Sequence, residues 1–183
     1  MKIKYPLCLL FLISLNNLIV AQVKTANIKH FENPVLPINL YFTSNTQLTL
    51  KAAYTLTEIA RNAAATLGKD VSIAILDQSG VTILISRGDG VGPHNTEAAR
   101  RKAYTALSTK TATLALARKV REDHDSENLA NLPELLLLGG GVPLWYENKV
   151  IGSIGVAGGG SAENDDKIAK AALNAISDIN KNR

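Results

Sequence analysis

The stretch RGDGVGPHNTEAARRKAYTA, from Arg87 to Ala106, gathers the residues of this chain best suited to chemistry. His94 follows Pro93 and a Gly90-Val91-Gly92 frame. Arg100, Arg101, Lys102 and Tyr104 come within ten residues of it. A neutral imidazole is a ligand for iron and a general base near neutral pH. On a proline-stiffened loop, His94 has little freedom to lose on binding. Arginine pairs with a carboxylate through two parallel hydrogen bonds, so Arg100 or Arg101 can hold an acid group beside His94. At about 100° per residue the two arginines point in different directions, and at most one or two of the three cations serve one ligand. The alternative is an ordinary loop histidine followed by a solvated basic helix face.

Other candidates are fewer. Gly158, Gly159 and Gly160 stand between an expected strand and a helix beginning at Ser161, where backbone N–H groups can hold a carboxylate or phosphate. Tight turns and close packing are the other use for such glycines. No lysine precedes Ser161 as a P-loop requires, and the spacing does not fit a dinucleotide fingerprint. His124 lies between Asp123 and Asp125 in a charged run, which reads as a weak metal site or as a solvated loop. His30 lies in a proline-containing arm. Tyr104, Tyr146 and Thr96 are further oxygen donors. No His-Glu-x-x-His, serine nucleophile elbow or kinase motif occurs.

These residues need a scaffold, and the chain has material for one. It holds 183 residues, 46% hydrophobic and 20% charged, enough for one domain with a substantial core. Aromatics are only 5%, so Ala, Leu, Ile and Val must fill that core. A net charge of +4 without a basic, aromatic-laced stripe argues against nucleic acid as a partner. Residues 1–21 read as a secretory signal: Lys2 and Lys4, an apolar run from Leu7 to Leu15, and the small Ala21. The run is short for a membrane span, so no stable span is expected once it is removed. The one cysteine, Cys8, lies within it, so the exported chain has no disulfide and no thiolate ligand. Residues 22–45 read as an arm or linker, and residues 46–183 as the domain.

The expected elements alternate. Leu48, Ala52, Leu56, Ile59, Ala63 and Leu67 recur at helical spacing, with Thr49 to cap and Gly68 to end the helix. Asp77-Gln78-Ser79-Gly80 separates two β-branched runs as a hairpin turn. Asn95 or Thr96 caps the next helix, whose Ala99, Ala103 and Ala106 share a face. A further helix runs from about Thr111 to Arg121, followed by a polar loop, HDSENLANLP. Glu147-Asn148-Lys149 turns a second hairpin between Val142–Tyr146 and Val150–Ala157. Ser161 starts a last helix with Ile168, Ala172, Leu173 and Ile176 as its apolar stripe. Two hairpins among helices predict an α+β fold, a single central antiparallel sheet flanked by helices.

The segments VSIAILDQSGVTILISRGDG, RKAYTALSTKT and LLLLGGGVPLWYENKVIGSIGVAGG, with the alanine-rich closing helix, resemble the GlcG/HbpS family of haem-binding or haem-degrading domains. The resemblance covers about Leu48 to Ile179. It implies a small α/β domain with a central antiparallel sheet that assembles into homo-oligomers. It implies haem as cofactor, a link to haem degradation or iron and redox sensing in secreted members, and less defined roles in others. The family's iron ligands do not map onto this sequence, so the ligand is read from the residues themselves: His94 on iron, with Arg100 or Arg101 on a propionate, Tyr104 as the next candidate and the Gly158–Gly160 turn as a further anion site. The competing expectation is an enzyme for a small oxyacid, with His94 as general base and a carboxylate held by Arg100 or the turn.

Overall fold

The computed structural model describes residue 37 and residues 40–181, with side chains through residue 174. The signal reading of residues 1–21, His30, most of the arm and the side chain of Ile176 fall outside that description. The chain divides into two compact units, Met1–Ser44 and Asn45–Arg183. The second carries every regular element discussed below.

Helix α1 spans Leu50–Ala65. It starts where expected because the Thr49 side chain accepts a hydrogen bond from the Ala52 N–H, satisfying one of the orphan donors of the first turn. Gly68, at φ +62°, turns the chain away in a left-handed conformation. Strands β1 (Ser72–Asp77) and β2 (Thr82–Arg87) form the first hairpin. Asp77 shapes its turn by accepting from the N–H groups of Ser79 and Val81. Helix α2 covers Pro93–Thr109 and α3 covers Thr113–Glu122.

The expected polar loop after α3 is instead a 3-10 helix, His124–Asn131. Its start is fixed by Asp123, which accepts from the Asp125 N–H and the Ser126 hydroxyl. That capping chemistry was present in the sequence, but the absence of an apolar period hid the element. Strands β3 (Gly141–Tyr146) and β4 (Lys149–Ala157) form the second hairpin, and α4 runs from Ala162 to Lys181. Glu147 and Asn148 both have positive φ, the backbone a two-residue hairpin turn needs to match strand twist.

The four strands make one antiparallel sheet in the order β2-β1-β4-β3. The central pair is β1 with β4, in register from Ser72 opposite Ala157 to Asp77 opposite Gly152. Alternation sends Ile73 and Ile75 of β1, with Val142, Leu144, Ile154 and Val156, to one face, where they pack against α1 and α4. Ala74, Leu76 and Ala157 face the other way, against Ala99 and Ala103 of α2. Apart from Leu76 the buried residues of this face are alanines, and around Gly155 the helix backbone lies almost on the sheet. A Cβ on Gly155 would fall 2.6 Å from the Ala103 nitrogen and closer still to the Ala99 oxygen. Gly141 of β3 and Gly155 of β4 are thus consumed in bringing α2 down onto the strands.

Candidate functional site

A cavity of about 440 Å³ opens where the first turns of α2 meet the turn between β4 and α4. His94, Ala98 and Lys102, spaced by four and so stacked on one face of α2, form one wall. Gly158, Gly160 and Ser161 of the turn, with Ala162 and Asp165 of α4, form the opposite wall. Leu138 and Ala157 add apolar surface. The volume suits a small organic ligand.

His94 is an exposed residue in the first turn of α2. The sequence placed it on a loop with the helix capped at Asn95 or Thr96, and the structure corrects that. Gly92 is the N-cap, with no side-chain cap, and the helix begins on Pro93. Proline supplies a helical φ and lacks the N–H that a first-turn residue would leave unpaired, so the helix starts at the earliest position it can. Thr96 is left to share a hydrogen bond with the Ser72 hydroxyl at 3.3 Å. His94 is therefore held by helix geometry, which fixes it more firmly than a loop. Its ring also sits over Gly92, where a Cβ would approach the His94 Cε1 to 3.0 Å.

Arg100 and Arg101 lie outside the cavity lining, and both are engaged elsewhere. Arg100 donates to Glu97 at 2.7 Å and to Glu134 at 2.9 Å. Its guanidinium holds the Glu97 carboxyl below the usual range, and the two carboxylates raise the arginine in turn. Arg101 donates to the carbonyls of Pro133 and Leu135, each at 2.7 Å. Tyr104 packs over the first hairpin turn, where a Cβ on Gly80 would lie 3.2 Å from its ring. Tyr146 packs against the main core cluster. His124 is 95% exposed and, among the described residues, meets only Glu127, at 3.3 Å. Among the described residues no group of three or more His, Cys, Asp or Glu side chains is placed to hold a metal ion.

The cation that does reach the cavity is Lys102, which a run of three basic residues concealed. It is 4% exposed. Its ammonium donates to Asp165 Oδ2 at 2.7 Å and to the Val156 carbonyl at 3.0 Å. Asp165 Oδ1 accepts from the Gly159 N–H at 2.7 Å. Gly140, at φ +118°, makes room for this pair, since a Cβ there would lie 2.7 Å from that of Asp165. Gly158 and Gly160 line the cavity, while Gly159 anchors the carboxylate behind it.

The Leu138 side is held by groups that sequence reasoning passed over. Thr105 donates to the Arg101 carbonyl and accepts from the Leu136 N–H at 2.8 Å. Thr113 donates to the Leu138 carbonyl at 2.6 Å and accepts from the Gly141 N–H at 2.8 Å. Arg101 and Thr105 thus fasten the segment before β3 to α2, and Thr113 fastens it to α3, so Arg101 positions one rim of the cavity. A buried threonine in a helix with both its donor and acceptor used is visible only once the partner backbone is in place.

Four similarities to known proteins bear on this arrangement. The family model described as Haem degrading protein HbpS-like matches residues 48–174. A crystal structure of a double mutant of HbpS from Streptomyces reticuli is 36% identical, with a TM-score of 0.71 over 78% of this chain and 96% of that one. The structure of a PduOC–haem complex is 30% identical, with a TM-score of 0.64 over 71% of this chain and 95% of that one. In sequence, the corrinoid adenosyltransferase PduO of Citrobacter freundii is 33% identical over 131 residues, 70% of this chain but only 39% of that protein.

Proposed function

The chain belongs to the HbpS-like family, and on that premise we propose that it is an exported haem-binding protein whose ligand sits in the cavity beside His94. The observation that carries the reading is the placement of His94 at the end of the wall it shares with Ala98 and Lys102. A haem site needs a donor atom for iron, an apolar bed for the ring, and donors for the propionates. His94 offers the first, and Ala98, Leu138, Ala157 and Ala162 the second. Lys102 and the N–H groups opening α4 offer the third. When bound, haem supplies iron for ligand exchange or electron transfer. The protein's part is to orient the ring with His94 and to shield one face. The solved PduOC–haem complex supports the reading through its shared fold. Export rests on residues 1–21, and assembly into a homo-oligomer on the family resemblance. Recovery of the exported chain beginning at Gln22, and light scattering at micromolar concentration, test those two parts.

A second reading is favoured by one feature: the first turns of two helices, α2 and α4, both open onto the cavity, with a buried ammonium beside them. Both helix N-termini carry partial positive charge, which suits the anion of a small oxyacid. His94 would then act as general base.

Titration of the purified protein with haemin separates the two. The haem reading expects a Soret band that saturates at a fixed stoichiometry. No spectral change with haemin, together with thermal stabilisation by small acids, would transfer the function to the second reading.

A further inference from the structure

We propose that the Lys102 side of the cavity is a carboxylate-binding subsite built on that buried ammonium. This rests on the ligand reading above, in which the cavity holds either haem or a small oxyacid. An ammonium group carries three N–H donors. Lys102 uses two, on Asp165 Oδ2 and the Val156 carbonyl, and the third has no acceptor among the described residues. Lys102 is buried and lines the cavity, so that donor is available to a ligand there and to little else.

Asp165 does not repel an incoming anion as a bare carboxylate would. One of its oxygens takes Lys102 and the other the Gly159 N–H. The pair therefore presents a neutralised carboxylate and an outstanding donor. The start of α4 adds backbone N–H groups, for Gly160, Ser161 and Ala162 all line the cavity, and Ser161 caps the helix through the Asn164 N–H alone. Arg100 and Arg101 cannot serve the same acid group without releasing Glu97, Glu134 and the carbonyls of residues 133 and 135.

The carboxylate can come from a haem propionate or from a free small acid, and the test distinguishes them. Wild-type protein is titrated with haemin and with haemin dimethyl ester by absorbance, and with sodium lactate and neutral lactamide by thermal shift. The same titrations are run on the double variant Lys102→Met/Asp165→Asn. That variant removes both buried charges together and keeps an acceptor for the Gly159 N–H, so it is expected to fold, which circular dichroism checks.

If the acid is a propionate, haemin binds at least tenfold more weakly to the double variant, and the wild type binds the ester at least tenfold more weakly than haemin. If the acid is free, lactate but not lactamide stabilises the wild type and has no effect on the variant. Without haemin binding, this second result sustains the subsite and discards the haem reading. Equal binding of haemin and its ester, unchanged in the variant and with no lactate effect, overturns the subsite and leaves the haem reading standing. No binding of either probe overturns both.

Discussion

Replacing Gly155 by alanine tests how the fold sets the site. The added Cβ would stand 2.6 Å from the Ala103 nitrogen and 3.0 Å from the Ala103 Cβ, with the Ala99 carbonyl nearer still. Ordinary van der Waals contact begins near 3.4 Å, so α2 must move off the sheet by more than the 0.8 Å that the Ala103 nitrogen at 2.6 Å alone requires. The obstacle is helix backbone, which cannot rotate aside as a side chain can. Overpacking costs about 1–3 kcal/mol, and this case belongs at the upper end. For a domain of this size that lowers Tm by roughly 10 °C. Since α2 carries His94 and Lys102, ligand affinity should fall as well. Gly68→Ala is the control. Its φ is +62°, but nothing lies within 4 Å of a Cβ there, so it carries only the left-handed backbone cost of about 1–2 kcal/mol. Urea denaturation and thermal melts of both variants decide. Equal losses of stability would refute the claim that α2 is seated on bare strand backbone at Gly155.

Removing the α1 cap with Thr49→Ala should cost about 1 kcal/mol in urea denaturation. Glu147→Asn should raise stability by about 0.5–1 kcal/mol, because Glu147 holds a left-handed conformation that asparagine tolerates better, and a melt reads it. Arg101→Met strips the donor from the Pro133 and Leu135 carbonyls and should cost about 1–3 kcal/mol, with faster hydrogen exchange at the Leu136 N–H. Arg100→Gln should cost less than about 1 kcal/mol at neutral pH, since Glu97 and Glu134 are more than half exposed. The folded-state Glu97 carboxyl is depressed, so its contribution is present above the ordinary glutamate range and fades as pH falls through the lowered value. Stability of the two proteins should therefore converge in acid.

The hairpins and α1 were legible because their signals are local. Asp77 to Gly80 and Glu147-Asn148 write their turns in a few residues, and Thr49 caps its own helix. The start of α2 was misplaced because a proline outweighed the better capping side chains that followed it. Of the candidate site, His94 and the Gly158 and Gly160 positions were brought to one cavity, while Arg100, Arg101 and Tyr104 were not. The three basic residues in a row look alike in sequence. Only packing separates them: Arg100 turns to Glu97 and Glu134, Arg101 to backbone carbonyls, and Lys102 inward to Asp165, 63 residues away. The four-residue spacing of His94, Ala98 and Lys102 was the one available clue, and it required knowing that the helix already includes His94.

The central claim is that the cavity holds haem with His94 as its nitrogen donor. The direct measurement is a haemin titration of wild type and His94→Ala, followed by the Soret band, with His124→Ala as the exposed-histidine control. His94→Ala should shift the band and weaken binding at least tenfold, about 1.4 kcal/mol, while His124→Ala should match the wild type. An unchanged spectrum and affinity in His94→Ala would contradict the account.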